Sequence, residues 1–248
     1  MKKRIKQFFL LLLLVLFLFV GYSHYRLQGT WLRLYHYKTE KESARFSDMR
    51  LLDVDYFHVT EYSSFVGDSL EYEFFLALGQ KILADLNDEN QPFHMPVKTI
   101  TRDSLVLANS FTTVLYRKVP DSLQQKDTID LTNKFFRMEL NQTIDTMYFF
   151  EDRLLYKSKR EGRKKWHNLK YELIYLNGFC FMGSDFGTMT PIKKENNRLN
   201  FYNIFKDSIQ IISAEEIKLD TTFHKEVQLY RKIVLKERED IKQQMPDQ

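Results

Sequence analysis

Cysteine is nearly absent: Cys180 stands alone in 248 residues, so no intrachain disulfide can form and a disulfide scaffold is excluded. Glycine and proline are also scarce, 8 and 5 residues against 21 Phe and 14 Tyr, which is not the composition of a disordered chain. No Gly-x-Ser-x-Gly elbow and no phosphate-binding loop occurs, so the sequence signatures of serine hydrolases and P-loop nucleotide enzymes are missing. Among the six histidines no two fall within five residues of each other, and none stands at metal-ligand spacing from the cysteine. Acidic residues are absent from the first 23 positions, where Lys2, Lys3, Arg4 and Lys6 lie. Setting those four aside from 37 basic residues leaves 33 against 33 acidic ones, a balanced chain. A nucleic-acid partner therefore has no electrostatic basis.

What is present is aromatic and apolar. The chain is 44% hydrophobic and 15% aromatic, with 21 Phe and 14 Tyr, enough to bury a core and weighted toward strands. The N-terminus reads "MKKRIKQFFLLLLLVLFLFVGYSHYRL": a basic head, then thirteen apolar residues from Phe8 to Val20. Thirteen residues suit a signal-peptide core, whereas a membrane span takes about twenty. Gly21 and Ser23 offer a small-x-small cleavage pattern, and Tyr22 and Tyr25 offer interfacial anchors. Residues 1–23 are expected to be a signal peptide or a signal anchor. The bulk of the chain then lies outside the cytoplasm, held at a membrane, or is secreted if cleavage follows Ser23.

The tetrapeptide "LYRK" occurs at Leu115–Lys118 and again at Leu229–Lys232. Four further pairs align in the same order: "TWLRL" with "KFFRM", "LEYEFFLALG" with "LKYELIYLNG", "MPVK" with "TPIK", and "DSLVL" with "DSIQI". This ordering indicates an internal duplication with a period of about 100 residues, each copy a domain rather than a solenoid repeat. The expected organisation is a first β domain at 27–119, a polar linker at 120–130 ("PDSLQQKDTID"), a second β domain at 131–234, and a polar, helix-compatible tail at 235–248. Apolar residues alternate with a period of two, as in "LEYEFFLAL", which describes antiparallel sheet closing into barrels or sandwiches. A single pseudo-symmetric barrel built from both repeats is the alternative. Helix is expected only for "LGQKILADL" and for the tail "IVLKEREDIKQQ".

"LQGTWLRL" resembles the Gly-x-Trp opening strand of lipocalin-like barrels, with Gly29 and Trp31 in the matching places. A last strand ending in Tyr-Arg is similar to bacterial lipocalin-like domains. The resemblance implies two tandem lipocalin-like domains in which a late arginine packs on the first-strand ring at the closed end. That pairs Trp31 with Arg117 and, in the second copy, Phe135 with Arg231. The second copy departs from the motif, showing "NKFF". What the resemblance implies for function is a small apolar molecule or lipid held in a barrel cavity, without catalysis and without a cofactor. The second copy is the expected pocket, because "LIYLNGFCFMGSDFG" is rich in Phe and Met. The alternative is an envelope interaction protein whose barrels are filled by their own side chains.

The other motifs carry little chemistry. "SDFGT" contains the Asp-Phe-Gly of protein kinases without the accompanying motifs and reads as a turn. "DLNDEN" at 85–90 lacks the glycine and twelfth-position acid of a calcium loop and reads as a solvated loop. Paired carboxylates such as Asp53 with Asp55, or Glu71 with Glu73, read as the wet side of a sheet. The basic run around a Glu161-Gly162 turn comprises Lys157, Lys159, Arg160, Arg163, Lys164 and Lys165, followed by Trp166. It is a candidate contact for anionic lipid or an acidic partner, or else a solvated hairpin whose charges discourage edge pairing. "NQT" at Asn141 is a glycosylation sequon, relevant only in a eukaryotic secretory pathway.

Overall fold

The computed structural model describes residues 2–38, 45–46, 50–55, 58–63, 69–77, 80–85, 95–110, 112–140, 143–158, 167–184, 189–218 and 221–244. A helix, α1 (Lys2–Leu27), precedes nine strands: β1 (Gly29–Lys38), β2 (Arg45–Phe46), β3 (Arg50–Asp55), β4 (His58–Ser63), β5 (Ser69–Ala77), β6 (Gln80–Asp85), β7 (Met95–Ile100), β8 (Ser104–Ala108) and β9 (Thr112–Lys118). Eight more follow: β10 (Phe135–Leu140), β11 (Thr143–Phe150), β12 (Arg153–Ser158), β13 (His167–Leu176), β14 (Phe179–Ser184), β15 (Met189–Glu195), β16 (Arg198–Ile204) and β17 (Ile209–Glu216). The helix α2 (Thr221–Gln244) comes last.

The fold is all-β between its two helices. Strands β10 to β17 form a closed eight-strand antiparallel barrel in sequence order. The first nine strands form a separate antiparallel sheet, in which β9 pairs back onto β1 while β2 adds a short pairing to β1. Eight strands, β1 and β3 to β9, thus complete a ring. The single barrel shared by both repeats does not form, because each half closes its own hydrogen-bond ladder and leaves no edge for the other.

Of the five repeat pairs, three fall on strands of equal rank and two do not. "TWLRL" and "KFFRM" lie on the first strands β1 and β10, "LEYEFFLALG" and "LKYELIYLNG" on the fourth strands β5 and β13, and "MPVK" and "TPIK" on the sixth strands β7 and β15. "DSIQI", however, begins the eighth strand β17, whereas "DSLVL" lies on the seventh, β8. The second "LYRK" is on α2, not on a strand. Matched by strand order instead, β16 begins 94 residues after β8, and β17 97 after β9. "LGQKILADL" is also corrected from helix: Gln80–Asp85 is strand β6, registered on β5 from Tyr72↔Asp85 to Ala77↔Gln80. Cross-strand pairing outweighs the local helical preference of such a short segment.

By internal contacts the chain divides into two compact units. The first comprises Met1–Asp127, Glu172–Lys193 and Phe201–Ile211; the second comprises Thr128–Tyr171, Lys194–Asn200 and Ile212–Gln248. In the first unit, Trp31, Leu52, Val54, Val59, Leu105, Leu107, Val114 and Tyr116 share one cluster with Leu27 at the end of α1. These residues come from β1, β3, β4, β8 and β9, so the cluster fills the interior of the ring. The opposite strand faces give Leu32, Leu34 and Leu51, which cluster with Phe179, Phe181, Met189 and Tyr202. In the second unit, α2 lays Val227 and Val234 on Phe135, Tyr148, Phe150 and Leu155. The expected helical tail is therefore the end of a longer helix with its own buried stripe.

Within the segment expected as a linker, Asp121–Leu123 forms one 3-10 turn, and Leu123 and Ile129 are buried. Helix α1 contrasts with all of this. From Phe8 to Leu18 every residue is an exposed large hydrophobic, 45% to 78% accessible. It is not a buried helix of the folded core. Among the described residues, no helix is long and apolar enough to cross a membrane.

Candidate functional site

The Gly-x-Trp motif organises the foot of the first ring. Gly29 has φ +116°, where a side chain is strained, and a Cβ there would lie 2.8 Å from Lys118 Cε. This twist lets the chain leave α1 and enter β1 at once. Trp31 is fully buried and its indole Nε1 donates a hydrogen bond to the Leu27 carbonyl at 2.8 Å, fastening helix to strand. The second copy keeps the same device with different residues. Asn133 takes φ +59° two positions before Phe135, and its Oδ1 accepts from the Tyr148 hydroxyl at 3.0 Å.

The arginine partners differ from those the resemblance implied. Lys118, not Arg117, stands over the Trp31 ring, 5.7 Å from its centroid. Ladder register is the reason. Trp31 pairs with Lys118, while Arg117 pairs with Leu32 and so lies on the other face of the strand. In the second unit Phe135 stacks on Tyr148 with centroids 4.1 Å apart. Arg231 comes from α2 and sits over Phe150 at 4.7 Å. An arginine does cover an aromatic ring of that cluster, but a helix delivers it.

Above the apolar floor of the first ring lies a charged trio that the sequence did not single out. Arg33 and Arg50 each place Nη1 3.5 Å from Glu61 Oε1, and the Arg33 and Glu61 side chains are about nine-tenths buried. Glu61 is registered against Leu52, which is itself registered against Trp31, so the trio faces the same interior. Among the described residues, the buried Arg50 Nε has no hydrogen-bond partner. The signal was faint: three charges on alternating strands, each resembling the wet residue of a half-buried sheet.

The second unit has a polar cluster of its own. Asp145 is 2% exposed, with Oδ1 accepting from Ser158 Oγ at 2.6 Å and Oδ2 accepting from the Tyr156 hydroxyl. It belongs to the face of β11 that carries Met147 and Phe149, away from α2. Tyr171 meets Phe149 edge-on at 5.1 Å, and burial pushes its hydroxyl up to about 12. Cys180 is buried and its thiol is pushed up to about 11 by desolvation. Of the Phe-rich run expected to line a pocket, Asn177 and Phe179 line one at the foot of α1, while Phe179 and Phe181 also pack with Leu32, Leu34 and Met189.

Among the described residues there are pockets open to solvent. One of about 780 Å³ lies at the foot of α1 and includes Tyr22, Tyr25, Arg26, Asp53, Lys118 and Asn177. There Asn177 Nδ2 donates to Asp53 Oδ1 at 2.5 Å and to Thr30 Oγ1 at 3.1 Å. Burial raises the Asp53 carboxyl above its ordinary value, with the Asp55 charge adding to the rise and the Asn177 hydrogen bond opposing it. A second pocket, of about 430 Å³, lies beside α2 and includes Lys134, Phe135, Tyr148, His224 and Arg231. Among the described residues no group of three or more His, Cys, Asp and Glu side chains is placed to hold a metal ion.

Of the basic run, Lys157 is described and pairs with Glu226 of α2 at 2.7 Å. Lys159, Arg160, Arg163, Lys164, Lys165 and Trp166 lie outside the described residues, as do Asn141 and most of "DLNDEN" and "SDFGT".

Eight antiparallel strands closed in sequence order is the arrangement of a lipocalin-like barrel. The Gly29-x-Trp31 resemblance implied that architecture. Among solved structures, the chain is similar to a lipocalin-like protein from Bacteroides uniformis, with 15% identity, a TM-score of 0.34, and coverage of 38% of this chain and 99% of that one. No family model and no curated protein matches the sequence.

Proposed function

We propose that this chain is a non-catalytic binding protein, held at a membrane by α1 with its strands outside the cytoplasm, and that its first ring takes a small amphipathic ligand or lipid. The carrying observation is the trio of Arg33, Arg50 and Glu61, set in the same interior as the apolar Trp31 cluster. An apolar wall with a few convergent polar groups is the general form of a small-molecule site. Here the Arg50 guanidinium, whose buried Nε has no hydrogen-bond partner among the described residues, suits a carboxylate or other anionic head on an apolar body. The exposed apolar stretch of α1 and the basic residues before it support the membrane reading.

Native mass spectrometry of the full chain released from detergent tests the ligand. Adducts that vanish on organic extraction, and tighter binding of a long-chain fatty acid than of its methyl ester, are the expected results. A clean mass together with no binding of the acid refutes the reading. That outcome favours filled barrels acting as an interaction scaffold, to which the complete burial of Trp31, Leu51 and Leu105 also lends support. Carbonate extraction of membranes from expressing cells tests the location: a chain recovered with the soluble fraction refutes the membrane reading.

A further inference from the structure

We propose that the pocket at the foot of α1 binds the head group of a zwitterionic phospholipid, with Arg26, Arg102 and Lys118 facing the phosphate and Asp53 and Asp55 facing the ammonium. The inference rests on the membrane-held reading above.

Charge selects the ligand class. Arg26, Arg102 and Lys118 line the pocket together with Asp53, Asp55 and Asp121. Among the described residues, no ion pair within 4.0 Å joins any of these six to a partner of opposite charge. Arg26 and Lys118 instead lie over the Tyr22 and Trp31 rings, and Asp53 accepts from Asn177. A simple anion would meet three carboxylates in this pocket, and a simple cation would meet three basic groups. A ligand carrying both charges satisfies both sets at once. The volume, about 780 Å³, is that of a small-molecule site.

The surroundings select the source. Tyr22, Tyr25 and Arg26 belong both to the pocket and to the end of α1. The preceding residues, Phe8 to Leu18, are apolar and exposed, a surface far larger than soluble monomers leave open. Seated in a bilayer, α1 brings the pocket to the head-group layer, where tyrosines concentrate. The Trp31 hydrogen bond to Leu27 and the burial of Leu27 hold helix and pocket in one arrangement.

The test uses the full chain in detergent, titrated by calorimetry with dihexanoyl phosphatidylethanolamine, dihexanoyl phosphatidylglycerol and free phosphoethanolamine. Flotation with vesicles of equal parts phosphatidylethanolamine and phosphatidylglycerol accompanies it. The ethanolamine lipid is expected to bind about tenfold or more tightly than either other ligand. Asp55→Asn should erase the preference between the two lipids, and Arg102→Gln should weaken both. Both side chains are exposed, so the fold tolerates these changes. Equal affinity for the two lipids, or indifference to both substitutions, overturns the proposal. Free phosphoethanolamine binding as tightly as the lipid overturns it too, since the ligand would then come from solution. A chain that floats yet shows no head-group preference loses this proposal and keeps the membrane reading. A chain that stays with the soluble fraction loses both.

Discussion

Replacing Trp31 with alanine should unlatch the first ring from α1. The indole is fully buried among Leu27, Leu52, Val54 and Tyr116, so its truncation leaves a cavity worth about 3–5 kcal/mol. Loss of the 2.8 Å bond also strands the Leu27 carbonyl at the helix end, adding about 1 kcal/mol. The assay is amide hydrogen exchange by mass spectrometry on the full chain, because local opening is read element by element. A loss of 3 kcal/mol corresponds to exchange faster by about a hundredfold, expected in β1, β3 and β9. Amides of β10, β11 and α2 belong to the other unit and should keep their rates. Trp31→Phe separates the two contributions: it retains most of the ring packing and loses the hydrogen bond. Acceleration below about fivefold for Trp31→Ala, or acceleration spread evenly over both units, would refute the latch.

Gly29→Ala should cost about 1–3 kcal/mol in urea unfolding, because alanine is strained at φ +116°; an unchanged midpoint would contradict the backbone assignment. Glu61→Gln should destabilise the chain by about 3–5 kcal/mol by removing the buried carboxylate charge that faces Arg33 and Arg50, and a neutral effect would show that water reaches the trio. Arg231→Ala should cost about 1–2 kcal/mol through the lost contact with Phe150, whereas Arg117→Ala, on the strand face away from Trp31, should cost less in the same measurement. The Cys180 thiol, raised from 9.0 to about 11, stays protonated in the folded chain while an unfolded thiol ionises. Stability should therefore fall as pH rises between those values, and iodoacetamide should label Cys180 only after unfolding; rapid labelling of the native chain at pH 8.5 would contradict its burial.

The amino-acid sequence determined what is local. Period-two alternation wrote most of the strands into the chain, and Gly29 with Trp31 marked where the first ring opens. The basic head and apolar run marked α1 as unlike the rest. Three of the five repeat pairs fell on strands of equal rank, because those residues serve the same place in two copies of one ladder. The last two pairs slipped because short apolar patterns do not say which strand they occupy, and "LYRK" fits a helix stripe as readily as a strand.

Only the tertiary structure decided which residues meet. Closure of β9 on β1 set Lys118, rather than Arg117, opposite Trp31, and a shift of one residue exchanges the two faces of a strand. Pairing of β1, β3 and β4 gathered Arg33, Arg50 and Glu61 from three strands onto one face. The tertiary fold also placed three cations and three carboxylates around one pocket at the end of α1. Strand pattern is a property of neighbours in sequence; charge complementarity is a property of neighbours in space, and ring closure is what makes the one into the other.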